Sequence, residues 1–175
     1  MPDAPATTYI SPAMAAAVGT ELSRQVSFPI AESDIRKWAI AVYYPEPPPR
    51  MFWDRDFAAT TSHGDLVAPE DFNPFAWMAA SPRGVDGPTS NDPQNTEKIL
   101  GVDPPPVAFQ LNGGISVTYG DRMRPGDVVT SVSRLGGYRE RTGRLGLMLF
   151  TTLETTWTNQ HDTLVRRTQG TVIRY

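Results

Sequence analysis

The spacing of apolar residues changes character once along this chain, and that change limits the folds open to it. As far as about residue 80 the spacing is helical. From about residue 107 onward apolar and polar residues alternate, the period of strands with one buried face. Helices followed by a run of antiparallel strands belong to the α+β class, with the helices gathered on one face of the sheet. One central helix wrapped by a long curved antiparallel sheet satisfies this order. The 175 residues fit one domain, and 39% apolar content is enough for a core. The division expected is a tail or short helix over 1–19 and a single domain over 20–175. Within that domain, 81–106 is a long inserted loop rich in Pro, Gly, Asp and Asn, without a core-forming pattern. Loops of that length in compact domains are functional or reach into interfaces.

Three helices are expected in the first half. Ile35, Trp38, Ala39 and Val42 form one stripe, with Ser33 as N-cap and Tyr43-Tyr44-Pro45 as the stop. Trp53 and Phe57 lie four apart on a short turn over 54–60. The third runs from Pro69 through Glu70, Asp71, Phe72, Phe75, Trp77, Met78 and Ala79. Pro74 either kinks it or follows an Asn73 cap; one kinked helix is preferred. In the second half, Asn112-Gly113-Gly114 is a bulge or a turn within the first strand, Arg124-Pro125-Gly126-Asp127 a turn, and Arg141 to Arg144 a hairpin loop. Strands over 145–157 and 163–175 flank a turn at 159–162.

A net charge of −3 argues against nucleic acid as the main partner. The chain has no cysteine, which removes disulfides, thiolate metal sites and a Cys nucleophile. Residues 1–19 contain no Lys or Arg, and Met14 to Val18 is too short to span a bilayer. The expectation is a cytoplasmic protein without a membrane partner. Neither a glycine-rich phosphate loop, a metal-ligand cluster nor a Gly-x-Ser-x-Gly elbow occurs, so no cofactor and no metal are expected.

Several stretches, in order, resemble the MaoC-like dehydratase or (R)-specific enoyl-CoA hydratase family. Asp34 to Val42 is similar to the helix before that family's active-site loop. Asp54-Arg55-Asp56-Phe57-Ala58 and Gly64-Asp65-Leu66-Val67-Ala68-Pro69 resemble the approach to its central helix. Arg122-Met123-Arg124-Pro125-Gly126-Asp127 resembles its Arg-Pro-Gly-Asp segment, and Gly143 to Thr171 follows it as well. The likeness covers roughly 20–175 and is nearer to the N-terminal-half (FAS1-like dehydratase) version. It implies a hot-dog fold and chemistry that adds or removes water at a trans-2-enoyl thioester. The family's loop reads Asp-x-Asn-Pro-x-His, a carboxylate and an imidazole that together position one water. Here the Asp position holds Tyr44, and the His position holds Pro49 or Phe52, depending on the end from which the loop is aligned. The catalytic pair does not carry over.

The resemblance therefore implies a non-catalytic subunit that pairs with a catalytic MaoC-like hot-dog subunit, or a homodimer, with acyl-CoA as ligand. An alternative is an active enzyme with a displaced site, His63 with Asp65 or Glu46. Another is a protein that binds an acyl thioester or an apolar ligand without turnover. Phe52, Trp53, Phe72, Phe75 and Trp77 are candidates for an acyl pocket, although aromatics at helical spacing are more often core. Arg122 and Arg124 are candidates for the coenzyme A phosphates, and a solvated surface is the competing reading. His161 falls in a polar turn with no task assigned to it.

Overall fold

The computed structural model describes residues 8–76, 78 and 91–175. Its frame is a five-stranded antiparallel sheet in the order β1-β3-β4-β5-β2. The strands are β1 (Glu21–Val26), β2 (Gln110–Tyr119), β3 (Thr130–Gly143), β4 (Gly146–Thr158) and β5 (Leu164–Arg174). Gly143 pairs with Gly146 across the β3–β4 hairpin, and Gly146 takes φ +89, which L side chains rarely adopt. The register shifts at Glu21/Ser23 in β1, Asn112/Gly114 in β2, Leu135/Gly137 in β3 and Trp157/Thr158 in β4. The Asn112-Gly113-Gly114 motif is thus a bulge inside a strand.

Register assigns the two faces. Leu149, Thr151, Leu153, Thr155 and Trp157 of β4 pair with Arg174, Val172, Gly170, Thr168 and Arg166 of β5. This is the inner face. On the alternate face Phe150 meets Ile173, but Thr152, Glu154 and Thr156, opposite Thr171, Gln169 and Arg167, make most of it polar, so the core forms on the other side.

The helices are α1 (Pro12–Ala16), α2 (Glu32–Tyr43), α3 (Arg55–Ala59) and α4 (Asn95–Leu100), with a 3-10 turn over Arg50–Phe52. Ile35 and Ala39 of α2 are buried in one cluster with Phe52, Val67, Phe72, Met123, Val129 and Val165. Trp38 packs against that cluster, its ring edge-on to Phe72 at 5.7 Å.

Four sequence expectations are corrected. β1 lies where only helical spacing was read. Ser33 sits inside α2, whose N-cap is Ala31. The expected helix from Pro69 is a chain of turns in its described part: the N–H groups of Phe72, Ala76 and Met78 donate to carbonyls three residues back, at 3.0–3.2 Å. Asn73 Oδ1 takes the N–H of Phe75 at 3.0 Å, and Pro74 has no N–H to give, so the local side-chain bond wins over a helix. Trp77 lies outside the described residues, as does 79–90. Finally, the inserted stretch 81–106 is not patternless throughout, because α4 forms within it and buries Glu97.

Glu97 is 0% exposed and Arg174 2%. The Arg174 guanidinium donates to both Glu97 oxygens at 2.6 and 2.8 Å, to Thr151 Oγ1 at 2.5 Å and to the Pro93 carbonyl at 2.7 Å. Tyr138 donates its hydroxyl to Glu97 at 2.7 Å. Burial first, and that hydrogen bond second, push the Tyr138 phenol well above its usual range. The segment carrying α4 is thus bolted to the inner face by one buried, bidentate ion pair.

Candidate functional site

The loop after α2 spends its polar groups on itself. Tyr44 is 81% exposed, whereas Phe52 is 4% exposed and belongs to the core cluster. Trp53 Nε1 donates to the Pro48 carbonyl at 3.0 Å. Arg50 holds Asp54 Oδ2 through Nε and Nη2 at 3.0 and 2.6 Å and lies over the Phe57 ring at 4.6 Å. Asp54 Oδ1 caps α3 by accepting the Phe57 N–H at 3.0 Å. That bond, followed by Arg50, holds the Asp54 carboxyl below the usual carboxylate range. Tyr44, Pro49 and Phe52, at the positions where the family motif has Asp and His, offer neither carboxylate nor imidazole.

His63 is half-buried. Its backbone is held by Thr61 Oγ1 at 3.2 Å and by Arg124 Nη2, which donates to the His63 carbonyl at 2.9 Å. Among the described residues the structure gives no hydrogen bond to its imidazole. Asp65 faces Arg55 instead, at 2.6 Å, and its Oδ1 also accepts the Leu66 N–H at 2.7 Å. Arg55 in turn reaches Glu32 at 3.1 Å. Glu46 is exposed. The structure therefore brings neither carboxylate onto His63.

What it does bring together is a polar cleft of about 640 Å3, lined by His63, His161, Arg122, Arg124, Asp127 and Asn159, with Gly120 and Asp121 at its side. Arg122 is steadied by Glu70 at 2.9 Å and the Ala68 carbonyl at 3.3 Å. Asp127 orders the turn by accepting the Arg124 N–H at 2.8 Å and Gln160 Nε2 at 3.1 Å. Gly120 fits because a Cβ there would stand 2.1 Å from the Leu164 carbonyl oxygen. Both histidines of the chain and both candidate arginines share this one cleft. His161 carried no signal in the sequence, since a lone histidine in a polar turn looks the same whether or not the fold returns it to a cleft.

The aromatic candidates separate. Phe72 and Phe52 are core, Trp53 is partly exposed, and Phe75 packs edge-on against Trp157 at 5.2 Å. Beside that pair, Arg166 lies over the rings of Trp157 and Tyr119 at 5.0 and 5.7 Å. The Tyr119 hydroxyl donates to Asp71, a bond that raises the phenol above its ordinary value. This rung across β2, β5 and β4 escaped sequence reading because its members come from three strands. Among the described residues no group of three or more His, Asp or Glu is placed to share a metal ion. None of the described helices is long and apolar enough to cross a membrane.

Comparison with known proteins places this geometry. The family model described as FAS1-like, dehydratase domain region, matches residues 16–168. The chain is similar to the ChsH1-ChsH2 complex from Mycobacterium tuberculosis, with 17% identity and a TM-score of 0.62 over 92% of this chain and 86% of that one. It is similar to the MaoC-like dehydratase from Rhodospirillum rubrum, with 17% identity and a TM-score of 0.53 over 91% and 92%. R-hydratase PhaJ1 from Pseudomonas aeruginosa gives 16% identity and a TM-score of 0.52 over 90% and 81%. No curated protein matches the sequence. At such identities the solved structures speak for the fold alone, and they share the hot-dog architecture. Because the family model spans most of the chain, the chain belongs to the FAS1-like dehydratase domain family, and it shares the hot-dog fold of the MaoC-like dehydratase and R-hydratase it resembles.

Proposed function

We propose that this chain is the non-catalytic hot-dog subunit of a heteromeric enoyl-CoA hydratase or dehydratase. It shapes the acyl-CoA pocket and supplies an interface to a catalytic MaoC-like subunit. One observation carries the reading: Tyr44, Pro49 and Phe52 replace the Asp and His of the family motif, and Asp65, the carboxylate closest to His63 in sequence, is engaged by Arg55. Without the motif's paired carboxylate and imidazole, the loop after α2 has no group to position and deprotonate the water.

Two further features support it. Among the described strands β2 is paired on one side only, and its neighbourhood exposes Phe109, Leu111 and Ile115, the character of an edge that a second sheet covers. One structural neighbour is, by its name, a complex of two different chains. Arg122 and Arg124 in the polar cleft are the residues assigned to the coenzyme A phosphates. Crotonyl-CoA hydration by the purified chain is the test. No activity alone, and activity on adding a hot-dog subunit with an intact motif, is the expected result.

The displaced-site reading is favoured by one observation, that His63 opens onto the same cleft as both arginines. Hydration by the isolated chain that disappears in His63→Ala would replace the subunit reading with it.

A further inference from the structure

The two arginines of the polar cleft are not equivalent. Glu70 holds Arg122 at 2.9 Å, and Arg122 also donates to the Ala68 carbonyl at 3.3 Å. Asp121, exposed and adjacent in the chain, adds a second carboxylate to that side of the cleft. Among the described residues Arg124 has no ion pair, and its side chain donates only to the His63 carbonyl, from Nη2 at 2.9 Å. An anion that took Arg122 would have to displace Glu70, whereas Arg124 offers its charge without losing a partner.

Hydrogen bonds fasten both histidines to Arg124. The His63 carbonyl is its acceptor. Asp127 accepts the Arg124 N–H at 2.8 Å and Gln160 Nε2 at 3.1 Å, and Gln160 Oε1 accepts the Val128 N–H at 2.9 Å. The turn carrying His161 is thereby tied to the turn carrying Arg124. Asp127 itself is 8% exposed, and both its oxygens are already bonded. His63 and His161 are held through their backbone N–H groups, so their imidazoles are uncommitted among the described residues. Even a neutral imidazole keeps one N–H to donate. A phosphomonoester brings about two negative charges and several strong acceptor oxygens, which suits a free guanidinium flanked by such rings.

We propose that Arg124, with His63 and His161 beside it, binds a phosphomonoester, and that Arg122, paired with Glu70, stays outside that contact. Resting on the coenzyme A reading above, the group bound is the 3′-phosphate of coenzyme A.

Titration calorimetry with crotonyl-CoA and its 3′-dephospho form measures the preference. Charge-assisted hydrogen bonds to the monoester correspond to roughly tenfold tighter binding of crotonyl-CoA. Arg124→Gln is expected to erase that preference and Arg122→Gln to keep it. His161→Ala, which removes an exposed ring and leaves the Arg124 bond to His63 in place, should cut it to about threefold. Equal affinities in the native chain, or a preference that survives both Arg124→Gln and His161→Ala, overturn the proposal. A second arm does not depend on thioester binding. Adenosine 3′,5′-bisphosphate titrated against histidine-labelled protein should saturably shift the imidazole resonances of His63 and His161, and Arg124→Gln should weaken that response about tenfold. Unmoved resonances, or an undiminished response in Arg124→Gln, sink the phosphate site. A normal bisphosphate response, with crotonyl-CoA binding no tighter than the bisphosphate, sinks the acyl-thioester reading alone.

Discussion

Arg174 and Arg55 each hold carboxylates at hydrogen-bonding distance, yet their surroundings are opposite. The Arg174–Glu97 pair lies on the inner face at 3% and 0% side-chain exposure, with Tyr138 and Thr151 adding one hydrogen bond each. The side chains of Arg55, Glu32 and Asp65 are about half exposed, on the outside of the region leading to His63. In water the attraction between such groups is screened and easily exchanged, whereas inside the fold an unpaired charge has no substitute partner. The segment carrying α4 is therefore fixed by an all-or-none contact, and the region around His63 by contacts that solvent can replace.

The largest expected effect breaks the buried side of this contrast. Glu97→Ala strands the Arg174 charge and should cost about 3–5 kcal/mol in urea unfolding. Replacing both partners together, Glu97→Leu with Arg174→Met, should recover most of that loss, because a well-packed apolar pair needs no counter-charge. A double variant as unstable as Glu97→Ala would mean that shape, not charge, holds the segment.

Tyr138→Phe comes next, at about 1–3 kcal/mol, since it leaves Glu97 one donor short. Its pH signature has a definite sign. The folded-state pKa of this phenol is raised, so its contribution is complete below about pH 10, the unfolded value, and is lost as pH rises through the higher folded value. Urea midpoints measured upward from pH 9 should fall more steeply in the native chain than in Tyr138→Phe.

A smaller effect belongs to the exposed region. Asp54 caps α3 with a lowered pKa, so its support is present above about pH 4, the unfolded value, and is lost as pH falls through the folded one. Asp54→Asn should flatten the acid side of the stability profile. Arg55→Ala should leave the urea midpoint indistinguishable from that of the native chain; a clear loss there would erase the contrast between the two clusters.

The same contrast separates what the sequence reveals from what it hides. The strands β2 to β5 are legible because Ile115, Val117 and Tyr119, or Leu149, Leu153 and Trp157, keep the alternation that a one-sided sheet imposes. β1 is hidden because Glu21 to Val26 is mostly exposed and polar, with Leu22 and Val26 its only apolar residues. α4 escapes for a different reason: its buried residue is a glutamate whose partner is 77 residues away. The stretch after Pro69 misleads in the other direction, since Phe72 and Phe75 suit a helix while Asn73 and Pro74 locally forbid one. At the candidate site, the loss of the family pair at Tyr44 and Phe52 is readable directly. The meeting of His63 with His161 is not, because only the fold sets the turn at Asn159 beside the Arg124 turn.

The strand order carries a consequence for how the chain is made. β2 is synthesised before β3 and β4, but among the described strands its only partner is β5, which must enter between β4 and β2. Until then the β2 backbone waits without a strand partner, and Glu97 waits for Arg174. Such long-range closure is slow and exposed to aggregation. Folding on the ribosome can prepare the β3–β4 hairpin, yet the sheet and its ion pair are completed together only when β5 has emerged. The interval before that step is the time in which a nascent chain of this kind most needs a chaperone or an early-arriving partner.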